Sequence, residues 1–188
     1  MDLDDLTAAQ TAVAALFAGL GPDDWGLPTP CEDWDVAGVV RHLTMGERAF
    51  TTSLGGEPYD LQAIFAELSG VADEELPATY AATAAGLRDA FAAAAEGPFP
   101  TGIGPMDAPA IAELRIIECL AHGWDVARAT DARLEVDEAV AERAIAHSLA
   151  LMERLPPDRE PFEPPLPVAD DAPAIDRLAA LLGRSVSG

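Results

Sequence analysis

The sequence predicts an all-α protein, a four-helix bundle with further helices packed round it, and three observations carry that prediction. Apolar residues make up 49% of the chain and aromatics only 6%. Much of the apolar share is alanine, which suits close-packed helices better than a sheet of β-branched and aromatic residues. Apolar positions recur at three- and four-residue intervals, and Gly/Pro pairs and candidate Asp caps stand where those runs stop and start. A length of 188 residues fits one domain with a real core, so residues 1–188 are expected to form a single domain with a proline-rich stretch at 156–173.

A first amphipathic helix is expected over 4–20, with Leu6, Val13, Leu16, Phe17 and Leu20 on its apolar face and Gly21-Pro22 as its stop. The segment DDWGLPTPCEDW at 23–34 reads as a loop ordered by burying its large side chains. Asp35 is the N-cap of a second helix whose core stripe is Val39, Val40, Leu43, Phe50 and Leu54, ending at Gly55-Gly56. His42 falls at the edge of that stripe, where a side chain looks into a cleft between helices. A short helix follows at 61–68, and a third long one at 78–95 turns Tyr80, Leu87 and Phe91 inward. The Gly/Pro-rich connection 97–107 hands over, with Asp107 as cap, to a central helix at 111–130. Asp137 caps a fifth helix through 155, with Val140, Ile145, Leu149 and Met152 as apolar positions. After the proline-dense run a last short helix, 174–182, ends at Gly183.

A net charge of −22, from 33 acidic and 11 basic residues, would repel a phosphate backbone, so nucleic acid is excluded as a partner. No run of about 18 apolar residues reads as a membrane span, and the acidic start MDLDDLTAAQ does not read as a secretory signal. A cytoplasmic protein is expected. With two cysteines, Cys31 and Cys119, there is no multi-disulfide framework and no CxxC or CxxH zinc pattern. Any metal must therefore use histidine and carboxylate ligands.

The central helix carries such groups. Glu118 and His122, at i and i+4, stand on one face, with Asp125 beside them one turn on. A carboxylate and a neutral imidazole one turn apart are half of a metal site, and His42 is the best third ligand. Two histidines and one carboxylate leave coordination positions open, where a cation lowers the pKa of a bound water or thiol. Asp125 would then orient His122 or relay a proton. The same pattern also reads as an ordinary solvated face. On a helical wheel Arg115, Glu118, His122 and Asp125 cluster opposite Ile116, Ile117, Leu120 and Trp124, and Glu-x-x-x-His is a common surface pair. His147 reads as ordinary surface or core, without a comparable carboxylate arrangement. Cys31, next to Glu32 and Asp33 with no basic neighbour, reads as structural, because those charges suppress thiolate.

Three separated stretches, TPCEDWDVAGVVRHL, ECLAHGWDVARAT and FEPPLPVADDAPAIDRLAALLGR, resemble the mycothiol-dependent maleylpyruvate isomerase-like family, a branch of the DinB-like metalloenzymes, and in particular its short metal-binding members. The resemblance implies a DinB-like four-helix bundle and a divalent metal, typically zinc, held by His42 in VVRHL and by Glu118 and His122 in ECLAH. Nickel or iron suits the same donors. It also implies a low-molecular-weight thiol, mycothiol, as cofactor, used on a small electrophile by transfer or isomerisation, with Asp125 as the assisting group. The isomerases themselves carry a further C-terminal domain, where this chain has a proline-rich stretch and one short helix, so maleylpyruvate is not the expected substrate. Two other classes stay open. One is a non-catalytic metal-binding or helical interaction module acting as a homodimer; the other is a metal-dependent hydrolase in which water suffices.

Overall fold

The computed structural model describes residues 3–32, 34–154 and 163–186, and among them all the regular elements are helices. They are α1 (Asp4–Ala18), α2 (Val36–Leu54), α3 (Leu61–Ser69), α4 (Leu76–Ala93), α5 (Ala108–Ala129), α6 (Glu138–Arg154) and α7 (Ala174–Leu181), with a single 3₁₀ turn, Asp73–Glu75, leading into α4. Asp35 and Asp107 cap α2 and α5 as expected: their carboxylates accept hydrogen bonds from the Gly38 and Ala110 amides at 2.8 and 2.9 Å. Both α4 and α5 start earlier than the apolar pattern indicates, because Pro77 and Pro109 sit in the first turn, where a missing N–H leaves no bond unmade. The end expected for the fifth helix at 155 and the start of the proline-rich run, 156–162, lie outside the described residues. From 163 to 169 the chain has no regular structure.

Four helices form the bundle. α1 and α2 each pack against both α4 and α5, which makes a ring in the order α1–α5–α2–α4; α3 lies on α2, while α6 and α7 cover the outer side of α5. The expected apolar stripes of α1, α2 and α4 are buried, from Leu6 and Phe17 through Val39, Leu43 and Phe50 to Tyr80, Leu87 and Phe91. α6 departs from expectation at Leu149, which is exposed.

The larger correction concerns α5. Enclosed by α1, α2, α6 and α7, it buries residues on every side, Arg115, His122 and Asp125 as well as Ile116, Ile117, Leu120 and Trp124. Its polar face is therefore not solvated. A helical wheel sorts residues by polarity, and a polar stripe in the middle of a bundle faces other polar groups instead of water.

Part of that stripe belongs to a closed network. Arg115 Nη2 donates to Glu47 Oε1 and to the Leu43 carbonyl, both at 3.3 Å, across the α2/α5 interface. Glu47 Oε2 accepts from Gln10 Nε2 at 3.1 Å, and Gln10 Oε1 accepts from Arg88 at 2.6 Å, which joins all four bundle helices. Cys119 Sγ lies 3.5 Å from Glu47 Oε1 and 3.4 Å from the Tyr80 hydroxyl. Burial, with the charge of Glu47 added, pushes the Cys119 thiol up to about 12 and the Tyr80 phenol well above its usual value, so neither ionises near neutral pH.

Candidate metal centre

One turn beyond Arg115 on α5, Glu118 meets a different set of neighbours. Its Oε2 lies 2.9 Å from His42 Nε2 on α2 and 3.7 Å from His122 Nε2. The two imidazole centroids are 4.9 Å apart and nearly perpendicular, at 72°. Among the described residues, His42, Glu118 and His122 form one of two groups whose ligand atoms all lie within 4.8 Å of one another. The fold thus brings together the three side chains that spacing and resemblance single out, from two helices 76 residues apart along the chain.

The outer partners fix the orientation of each ring. His122 Nδ1 lies 3.0 Å from Asp125 Oδ2. Asp125 is completely buried and ion-paired with Arg184, whose Nε and Nη2 reach its two oxygens at 3.2 and 3.0 Å. Burial raises the Asp125 carboxyl, but the hydrogen bonds from His122 and Arg184 outweigh it and hold the group below its usual range. An ionised Asp125 accepts only, so His122 Nδ1 donates to it and Nε2 is the ring nitrogen turned toward Glu118. Burial pushes the His42 pKa down more than the Glu118 carboxylate raises it, so this imidazole takes up a proton less readily than a free one. Burial likewise pushes Glu118 up, and the His42 hydrogen bond with the charges of His122, His42 and Arg115 reverses this and holds it at about 2.

Trp34 stacks on His42 with centroids 4.4 Å apart and planes at 25°. Its loop is pinned by hydrogen bonds as well as by burial of Trp25. The Thr29 hydroxyl donates to the Cys31 and Trp34 carbonyls at 3.1 and 2.8 Å, and the Ala37 amide donates to the Trp25 carbonyl at 3.0 Å. Gly38 lets this loop lie against α2, because a Cβ there would come within 3.0 Å of Trp34 Cβ.

The fold also changes the setting of Cys31. Together with His122 and Asp125 it makes up the second group of potential ligands, and it lies within electrostatic reach of Arg184. The sequence neighbours Glu32 and Asp33 therefore describe its surroundings incompletely. His147 is not without a carboxylate either, since its Nδ1 lies 3.4 Å from Glu113 Oε1, but both are part-exposed and remote from the triad's partners. Arg184 is the functional residue that spacing missed. Gly183, in the left-handed region at φ 86°, turns the chain after α7 so that Arg184 comes back on Asp125, 59 residues upstream. Nothing local in LLGRSV signals that pairing.

A carboxylate and two imidazoles converging from two helices of an all-α bundle define the class: a helical-bundle protein with a candidate site for a divalent cation. The chain matches the mycothiol maleylpyruvate isomerase N-terminal domain family over residues 6–127, and it belongs to that family. The match includes His42, Glu118, His122 and Asp125, and ends before α6, α7 and Arg184. An uncharacterized Mycobacterium tuberculosis protein, Rv0738, is 30% identical over 95% of this chain and 94% of its own. A second protein of that organism, Rv0036c, is 29% identical over 84% of this chain and 69% of its own. No solved structure matches. No helix among the described residues is long and apolar enough to cross a membrane.

Proposed function

We propose that this protein is a divalent-metal-dependent enzyme that activates a low-molecular-weight thiol of the mycothiol kind, or a water, for transfer or isomerisation on a small electrophile. One observation carries the metal reading. Ligand atoms of His42, Glu118 and His122 all lie within 4.8 Å of one another, with His122 Nε2 and Glu118 Oε2 facing each other at 3.7 Å. The nearest guanidinium on α5, Arg115, is committed to Glu47. The donor set is that of open zinc sites, and nickel or iron would suit it too.

His42, Glu118 and His122 would hold the cation, which when bound lowers the pKa of a thiol or water beside it. Asp125 orients His122 through Nδ1, and Arg184 holds Asp125 in place; a carboxylate behind a ligating histidine is the usual support of such sites. Trp34 covers one face of His42 and excludes water there. Family membership supports the thiol. A cavity of about 420 Å³ bordered by His42 and Trp34 supports an enzyme over a closed structural site, since a reactant has room beside one of the three ligands.

Elemental analysis of untagged protein beside His122→Ala tests the metal: the wild type should carry a divalent ion and the variant should lose it. Equal content in both would end the reading. Thiol consumption with and without mycothiol across a set of electrophiles tests the chemistry, and turnover with water alone would move the assignment to a hydrolase.

A further inference from the structure

The cavity beside His42 has walls that select what can enter it. The α2 side is Ala37, Arg41, His42 and Met45; the 23–34 loop adds Trp25 and Trp34, and α3 adds Phe65, an aromatic ring left 55% exposed. Aromatic and thioether surfaces thus flank a space of about 420 Å³, enough for a fused two-ring molecule.

The charges on these walls are already spoken for. Among the described residues, Arg41 is the one guanidinium lining the cavity; its Nη2 donates to Asp73 Oδ1 at 2.6 Å and to the Val71 carbonyl at 3.0 Å, and its Nε donates to the Leu68 carbonyl at 3.3 Å. Two carboxylates, Asp35 and Asp73, line the same space beside that guanidinium. Away from the His42 end, an anionic substituent seated among these walls would lose water and meet only a guanidinium already paired with Asp73. The net charge of −22 acts in the same direction at long range.

We infer that this cavity is the electrophile subsite, and that it takes an uncharged, planar, apolar group seated among Trp34, Trp25, Met45 and Phe65, with the reactive carbon at the His42 end. The assignment rests on the metal reading for its chemistry but not for its binding, which the walls alone supply. It separates this protein's substrate class from small dicarboxylates, whose charges the cavity opposes.

A matched pair of probes tests it. 2-Naphthamide and 2-naphthoate have nearly the same shape and differ in charge; binding of each is measured by isothermal titration and ligand-observed NMR on wild type, Gly26→Leu, Met45→Trp and His122→Ala. A Cβ at Gly26 would meet no atom within 4 Å, so leucine there fills space without straining the fold. The amide should bind wild type at least tenfold more tightly than the carboxylate. It should weaken at least tenfold in both space-filling variants while their metal content stays at the wild-type level, and it should persist in His122→Ala. Equal or tighter binding of naphthoate, unchanged amide binding in Gly26→Leu and Met45→Trp, or no amide binding at all would each overturn the inference. If His122→Ala keeps its metal while the amide pattern holds, the metal reading fails and the subsite stands.

Discussion

Two carboxylates, Glu47 and Glu118, occupy the same α2/α5 interface, and their surroundings differ in kind. Glu47 is fully buried and complete: Arg115, Gln10 and the Cys119 thiol surround it, and its charge is matched by a guanidinium on the facing helix. Glu118, one turn from Arg115 on α5, has two imidazoles as its close partners, and the Arg115 and Arg184 guanidiniums act on it only through their charge. The first arrangement matches its charges across the interface and binds the bundle helices together, although Arg115 Nε is left without a hydrogen-bond partner among the described residues. The second brings lone pairs to one point and is completed only by a proton or a cation. In this interface, two carboxylates of equal polarity thus differ in whether a guanidinium or a pair of imidazoles stands opposite them.

Removing one partner from each cluster should therefore give opposite phenotypes. The largest loss of stability is expected for Glu47→Ala, which strands the buried Arg115: roughly 3–5 kcal/mol, read as a fall of about 10 °C in the melting midpoint, with metal content per folded molecule unchanged. Glu118→Gln should do the reverse, abolishing stoichiometric metal while leaving the metal-free protein within about 1 kcal/mol of wild type in urea unfolding, because the amide can still pair with His42. If Glu118→Gln melts like Glu47→Ala and keeps its metal, the contrast between the clusters is wrong.

A smaller effect is expected at Arg184. Arg184→Ala frees Asp125 and loosens His122, which should weaken metal affinity by about 10- to 100-fold in competition with a chelator. Arg184→Lys should recover only part of this, since one ammonium does not reproduce the two-point contact. An effect on stability alone, with affinity intact, would make the arginine a plain structural tie.

The mildest test is pH. His42 is neutral in the folded protein with its pKa lowered by burial, whereas in the unfolded chain it takes up a proton near pH 6.5. The unfolded state then binds more protons, so this group's contribution to the metal-free protein is fully present above pH 6.5 and is lost as pH falls below it. Metal should be released over the same acid range, as protons compete for the imidazoles. Dialysis at stepped pH followed by elemental analysis reads this directly, and retention unchanged from pH 7.5 to 4.5 would remove both histidines from the ligand set.

How much of this the sequence carried depended on the distance over which each signal acts. The bounds of α2 and α5 were legible because Asp35 and Asp107 act within one helical turn of the segments they cap. Glu118 and His122 were legible as a pair because i and i+4 share a face in any α-helix, and His42 joined them through its place at the stripe's edge and through the family resemblance. The burial of that face was not legible: Arg115 looks solvated until α2 is known to bring Glu47 opposite it. Neither was Arg184, whose approach to Asp125 depends on α7 packing over α5, held there in part by the Trp124 indole donating to Asp176 Oδ1 at 2.7 Å. Leu149 failed for the converse reason, an apolar residue on a turn of α6 that the other helices leave exposed.

The stacking of Trp34 on His42 has an optical consequence. An indole in van der Waals contact with a ligand ring places a native fluorophore within a few ångströms of any ion that enters. Were His42 to ligate an ion, an open-shell one such as nickel or ferrous iron would quench this emission and closed-shell zinc would leave it bright, so the indole would report both the filling of the site and the kind of ion in it.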